Sequence, residues 1–472
     1  MDCTKVRGRL TYSNDFGSHI LGSVLPLDQC QVDDSADIDE VINNIKKANA
    51  IATQVRAIIA KPIIPEMPPV VIALVPTDGK DTAVQIHEQK LVFLKMASEL
   101  KLPILTFAAD GAASELLAQH MMDTEASELP ALTYEYQLYG VHLRAPVFSN
   151  TGPLLSITDP PHARKTSRNQ PQHGTHTASL GIGFVVNRSL LDLYNIPDSG
   201  LVLRDVENVD KQDDGAARRL YAYCALKATT EDDAEGKPVI RKNFEGLFVW
   251  LFVFGTLFEA WLNRRMSPSD RILAAFRARF WLHFWHQHIL NLSATFPDLY
   301  SPTRSFISTR SFHIFNRLCD TLVLLTLAYA QHYPESPFCP WIVGTEFVEH
   351  FFGLSRMYLP NFTHAELLKM VQNVMVRQKI LLTKHFREER EKDSAAGYIL
   401  DYDPTPLSAE ELQAARVQLT VHDVNLIVET AYREAAQICK DILCIRVRNV
   451  NSSPIKLSPL AAVAKGGRTP IR

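Results

Sequence analysis

Residues 344–358 read GTEFVEHFFGLSRMY and set two acids in a stretch otherwise patterned as a core helix. Glu346 and Glu349 stand three apart and share one helix face, while Phe347 and Phe351, four apart, share another. Thr345 precedes them where an N-cap would sit. Carboxylates one turn from Phe351 and Phe352 are partly shielded from water, and a shielded charge needs a cation or a hydrogen-bond donor. Glu349 therefore reads either as a metal ligand or as part of a solvated acidic edge on a core helix. Two other acids can join it only through the fold: Asp2, at the head of the first strand, and Asp110, in an Asp110-Gly111 turn. Three such carboxylates can hold two Mg²⁺ ions about 4 Å apart, which clamp the attacking and leaving oxygens of a phosphodiester and need no protein base. His173 and His176, in QHGTH, have metal-like spacing but no third ligand, and read as loop residues.

For that chemistry the acids must converge, and the chain's periodicity proposes how. Val6, Leu10 and Tyr12 alternate, residues 16–18 turn, and residues 19–25 run apolar again, a hairpin or meander. A helical patch covers 38–48, and a third strand covers 51–59, ended by Pro62, Pro65, Pro68 and Pro69. Residues 70–75 form a further strand or extend the third. Residues 81–101 are an amphipathic helix, 102–109 a buried strand stopping at Asp110, 112–122 a helix, and 153–158 a strand ending at Asp159. A helix between two buried strands implies a parallel pair with a right-handed crossover. The order is that of an RNase H-like mixed sheet, three strands antiparallel and two parallel. There the first strand lies beside the fourth, so Asp2 and Asp110 face each other across about 4.8 Å.

From residue 160 to 336 the pattern is helical, with an amphipathic helix in 205–226, an exposed loop at 227–237 and apolar helices in 241–267, 269–292 and 311–332. Residues 364–391 form a basic helix, and the chain from 449 reads as disordered. The domains expected are thus 1–165, a catalytic core; 166–336, an all-α insertion; 337–395, the core's final helices with the third acid; and 396–472, a helical segment and basic tail.

Composition narrows the class. The 472 residues are 46% hydrophobic, enough for two or three cores, and a net charge of −3 rules out nucleic-acid binding through bulk charge. Any polyanion contact must be local. Seven scattered cysteines with no C-x-x-C pair read as reduced thiols in an intracellular compartment, without a zinc module, and no signal peptide is read at the N-terminus. Residues 244–262 are apolar enough for a membrane span, but Glu245 and Glu259 leave about 13 uncharged residues where a span needs about 20. A buried helix, with no membrane, is expected.

Three segments carry a family resemblance. Ala109-Asp110-Gly111 resembles the S-D-x-G segment of P element-type DNA transposases, a family that includes the THAP-domain transposase-derived proteins. Residues 159–169, DPPHARKTSRN, resemble its D-x-P-H-L-x-K-x-x-R-N signature, and residues 345–353, TEFVEHFFG, its V-E-H-F-F-G segment. Asp2-Cys3-Thr4-Lys5-Val6 is a shorter match to D-E-M-K-I. The resemblance implies a Mg²⁺- or Mn²⁺-dependent DDE enzyme that cuts DNA at transposon ends and joins the freed 3′ hydroxyl to a target. Asp2, Asp110 and Glu349 would be its catalytic and metal-binding acids, and Glu346 would keep a family acid beside them. It also implies a helical insertion, a homo-oligomer and a nuclear location. The family's zinc-coordinating DNA-binding domain and the lead-in to its first strand have no counterpart, as in an N-terminally truncated or domesticated descendant. The region 187–190, NRSL, lacks the lysine and acid of the family's GTP element, so GTP is not supported. The alternative to the enzyme is a catalytically inactive, transposase-derived DNA-binding or scaffold protein.

His162, Arg164, Lys165 and Arg168 open a helix after the last strand, placed to meet a phosphate backbone or to form a solvated basic face. Arg356, Arg377 and Lys379 are the further DNA-contact candidates, and Lys384, His385, Arg387 and Arg390 could extend that line or pair with neighbouring glutamates. Arg264, Arg265, Arg271, Arg277 and Arg279 alternate with Phe276, Phe280 and Trp281, which reads mostly as helix amphipathicity and otherwise as a DNA contact.

Overall fold

The computed structural model describes residues 1–65, 67–173, 177–382 and 407–447. The elements that matter here are β1 (Asp2–Lys5), β2 (Gln54–Ala60), β3 (Val70–Thr77), α1 (Ala83–Glu99), β4 (Thr106–Ala109), α2 (Ala113–Asp123), α3 (Pro160–His173), α4 (Asp214–Leu220), α5 (Glu245–Leu262), α6 (Pro268–Thr295), α7 (Thr309–His332), α8 (Glu346–Tyr358), α9 (His364–Leu382) and α10 (Val421–Gln437). They fall into two compact units. The first comprises Met1–Met96, Phe107–Met122 and Ile342–Tyr402, and the second Ala97–Thr106, Asp123–Trp341 and Asp403–Arg472. Residues 123–165, expected in the catalytic core, thus lie in the second unit.

The first unit is built on an antiparallel sheet of order β1-β2-β3. Asp2 pairs with Ala57 and Thr4 with Val55, while Ala57 pairs with Leu74, so these side chains share one sheet face. That face is covered by α8 and α9, because Val348, Phe351 and Phe352 form a helical stripe that packs with Phe362, Leu367 and Val374 onto Val55, Ala57, Ile59 and Leu74. Burying each of these large side chains contributes about 1.5–3 kcal/mol. The opposite face carries α1 and α2, where Ala83 and Ile86 meet Ala118 and the rings of Phe93 and Phe107 lie edge to face at 5.9 Å. The β2–β3 register slips between Ile58 and Ile59, a bulge in the outer half of the sheet.

Three antiparallel strands are present as expected, with the strand over 51–59 seen as Gln54–Ala60 and the one at 70–75 as Val70–Thr77, but the expected second strand does not join them. The hairpin Thr11–Ser13/His19–Leu21 stands apart from the sheet. It packs with the helix Asp37–Lys47 on its own small core of Ile20, Cys30, Val32, Ile45 and Ala50. Gly22 closes this region at φ +92°, with its missing Cβ only 2.3 Å from the Arg9 carbonyl oxygen, a place only glycine can fill. Among the described residues the largest sheet has three strands.

In the second unit α5 is the buried helix. Trp250, Phe254 and Phe258 are inaccessible or nearly so, and the Phe254 ring lies 4.6 Å from Phe315 of α7 and 5.6 Å from Trp281 of α6. Its length and composition would suit a membrane span, yet 78% of it is buried inside the protein, as the reading of a core helix expects. Ser267 and Ser308 cap α6 and α7, each accepting a backbone N–H three residues on. Arg271 is 1% exposed and donates to the carbonyl oxygens of Ala260, Met266 and Asn263, so it closes a helix end. Arg277 pairs with Glu434 at 2.7 Å and Arg279 with Asp320 at 2.7 Å, so these arginines serve the fold.

Several short elements escaped the sequence reading. Leu132–Tyr136 and Val141–Ala145 form a hairpin where the sequence reading placed no element, and Thr230–Asp232 with Pro238–Ile240 form one around the expected loop. A third, Ala178–Leu180 with Gly183–Val185, interrupts the helical block. The expected helix over 205–226 is instead α4 and a short helix, Tyr223–Ala228. Strands of three to five residues give too few alternations to be heard above a helical background.

Candidate functional site

Asp2, Asp110 and Glu349 all belong to the first unit. Asp2 is half-buried and accepts the Cys3 backbone N–H at 2.7 Å. Its pairing with Ala57 turns it to the sheet face that α8 covers. Thr4, two residues on, shares that side, and its hydroxyl accepts from the Arg356 guanidinium. Arg356 follows Glu349 by seven residues, two turns or about 10.5 Å, and so shares its helix face. Asp2 and Glu349 therefore look into the same side of the sheet. Thr345 occupies the N-cap position of α8 but makes no side-chain cap bond there.

Asp110 follows β4, accepts the Ala112 N–H at 3.0 Å and opens α2 with Gly111 at φ +86°. The Met1 amino group donates to Ala108 O at 2.9 Å, which sets the end of β4 beside the head of β1. From sequence, the first strand is expected beside the fourth in one sheet; among the described residues β1 and β4 are not paired in a sheet, and this hydrogen bond is what brings their ends together.

Carboxylate oxygens suit Mg²⁺ or Mn²⁺. Among the described residues, however, no three His, Cys, Asp or Glu side chains stand together in a way that could hold a metal ion. As placed, the three acids are not a metal-binding set. Glu346 lies 3.9 Å from His350 Nε2, and burial drops the His350 imidazole to about 4, so the ring is neutral near pH 7. Burial likewise raises the Cys3 thiol to about 12, which removes it as a nucleophile.

The other face of the sheet holds a charge cluster that the sequence reading missed. Arg56 on β2 binds Glu115 of α2 and, at 3.1 Å, Asp81, while Lys90 of α1 reaches Glu115 at 3.1 Å. Arg56, Lys90 and Glu115 are each 6% exposed or less. Burial raises the Glu115 pKa, but Lys90 and Arg56 outweigh it and hold the carboxyl below its ordinary range. This network fixes the first turn of α2 and, through it, the Asp110 loop. A single charged residue inside the run VRAII was the only sequence sign.

The basic residues of α3 must be corrected. Arg164, Lys165 and Arg168 are 6%, 4% and 0% exposed, so their side chains cannot lie along a DNA backbone as expected. Lys165 pairs with Asp214 of α4 at 3.3 Å, and Arg168 donates to the carbonyl oxygens of Asp210 and, at 3.0 Å, Asp213. Asp159 caps the helix by accepting the His162 N–H at 2.8 Å, and His162 is half-buried. The signature spanning 159–169 is an internal clamp on the loop before α4. Arg356 and Lys379 are exposed and Arg377 half-exposed. His176, Lys384, His385, Arg387 and Arg390 lie outside the described residues, as does the side chain of His173.

A groove of about 710 Å³ lies between β3 and α1, lined by Ile72, Val75, Asp81, Val92, Phe93 and Met96 among others. None of the three acids lines it.

No family model matches the chain, and no curated protein matches it. Among solved structures the chain is similar to the Drosophila P element transposase strand transfer complex, at 9% identity and a TM-score of 0.48, over 82% of this chain and 76% of that one. A likeness of that degree assigns neither fold nor function.

Proposed function

We propose that the protein is a transposase-like DNA-handling protein, with the first unit as the antiparallel half of an RNase H-like core. What supports this is that the segments bearing Asp2, Asp110 and Glu349, far apart in the chain, fold into one unit, with Asp2 and Glu349 on the same side of one sheet and the Asp110 loop beside the head of β1. DNA is the partner, and two copies of the protein are the simplest way to hold two DNA ends. A nuclear location follows from the same reading.

Strand cleavage and joining is its stronger form. It assigns Asp2, Asp110 and Glu349 as the acids at the DNA, with Mg²⁺ or Mn²⁺ as cofactor, and it requires the three to draw together when DNA binds. The weaker form is a DNA-binding scaffold in which the acids never close. Incubating the protein with transposon-end DNA and Mg²⁺ or Mn²⁺ separates them. Nicking lost in Asp110→Ala supports the enzyme. Nicking equal in both proteins, or absent from both, leaves the scaffold, and absence of DNA binding removes both.

A further inference from the structure

Beyond Lys5 the chain stays extended: Val6 N–H donates to Thr53 O and Arg7 N–H to Phe362 O, each at 2.9 Å. Val6 packs against the sheet's core and Leu10 against the hairpin's, while Gly8 lies over Ile51 and Ala52. Alternation on an extended segment then sends Lys5, Arg7 and Arg9 the other way, and all three are exposed. Two residues of strand advance about 6.6 Å, comparable with the separation of successive phosphates along a nucleic-acid strand. Phe362, whose carbonyl holds Arg7, lies with its ring centroid 5.8 Å from the Arg356 guanidinium, which reaches Thr4 of β1 on the Val6 side.

Among the described residues, Glu366 forms the ion pair with these cations. Glu366 lies 3.4 Å from Arg7 across an exposed contact, and it also accepts the Thr363 N–H at 2.7 Å at the start of α9. An exposed pair of this kind is worth at most about 1 kcal/mol and exchanges readily for a stronger anion.

We propose that Lys5, Arg7 and Arg9 form a phosphate-binding stripe that carries one DNA strand along the extension of β1. It rests on the DNA-handling reading and adds a partner contact that the motif resemblance did not name. The contact is with the backbone and is therefore independent of sequence. Its strength falls with salt, because each neutralised phosphate releases counterions.

The test is the salt dependence of binding to a fluorescent duplex and to a single strand of the same unrelated sequence, by anisotropy between about 50 and 200 mM NaCl. Replacing Lys5, Arg7 and Arg9 together by glutamine is expected to flatten the slope of log K against log salt by about 2.7 on the duplex or about 2.1 on the single strand. Replacing the exposed Lys46 and Lys47 by glutamine is expected to leave it unchanged. Should the triple variant melt early, Arg7→Gln and Arg9→Gln alone should each flatten the slope by about 0.7–0.9. A slope unchanged in these variants, or a loss seen equally in the Lys46/Lys47 control, overturns the stripe while the DNA-handling reading stands. Flattening on an RNA strand but not on DNA overturns the assignment to DNA. A wild-type protein with no salt-dependent DNA binding ends both.

Discussion

The Arg356 guanidinium donates to the Thr4 hydroxyl, across 352 positions of sequence, and so ties the last turn of α8 to β1. The same helix carries Glu349 two turns earlier, and the same strand carries Asp2 two residues earlier. Removing the arginine should therefore loosen the geometry of two acids at once. Arg356→Ala is expected to cost about 1–2 kcal/mol in urea unfolding, from the lost hydrogen bond and the contact over Phe362. Faster exchange at the amides of β1, by hydrogen exchange mass spectrometry, is the more specific sign. Unchanged exchange there would show that the tie is not what holds the strand.

Lys165 and Arg168 supply the reverse case. Lys165 is buried against Asp214 of α4 and Arg168 against carbonyl oxygens of the loop before it, so truncating either leaves buried polar groups without their partner. Lys165→Ala and Arg168→Ala are expected to lose about 3–5 kcal/mol of stability. DNA affinity per folded molecule should not change. A variant that stays fully stable while DNA binding drops would restore the phosphate-contact reading of α3.

The buried cluster around Glu115 makes a prediction about acid. Its carboxyl titrates below the ordinary value of 4.5 in the folded protein, so the unfolded chain takes up the proton first as pH falls. The stabilisation is thus complete above about pH 4.5 and is lost as pH drops through the folded pKa. Glu115→Gln should cost about 3–5 kcal/mol near neutrality, since Arg56 and Lys90 lose their partner. It should also flatten the pH dependence of urea midpoints below 4.5. An acid limb identical to wild type would place the titration elsewhere.

Phe254 tests α5 as a core element. It touches rings on α6 and α7, and Phe254→Ala is expected to cost about 3–5 kcal/mol in a detergent-free melt. A protein that requires detergent before any melt can be recorded would contradict the burial seen here.

The parts of this fold that sequence could announce are those with long, regular patterns. The helix expected over 81–101 is present as Ala83–Glu99, and the one over 112–122 as Ala113–Asp123, because 11 to 17 residues repeat the helical period often enough. The strand at 102–109 shrinks to Thr106–Ala109, since a run of apolar residues marks burial without marking where pairing begins. Asp2, Asp110 and Glu349 could be singled out through the segments around them, and the structure puts all three in one unit. What no local pattern could say is which way a cation points. Arg168 and Lys5 look alike in a sequence, yet the first is sealed against Asp210 and Asp213 while the second stands in water. Only the tertiary neighbours decide between them.

The outer strand β3 has an outward edge that no other described strand pairs. Such an edge is an open template on which a neighbouring molecule could zip itself, the route to fibres. Two features blunt it: the register slip at Ile58/Ile59 kinks the ladder at one end, and Pro76 of β3, which pairs with Val55 and lacks an N–H, breaks it near the other. Smoothing both would turn a well-behaved chain into one prone to stack on itself, and thioflavin fluorescence after replacing Pro76 by valine would register the change.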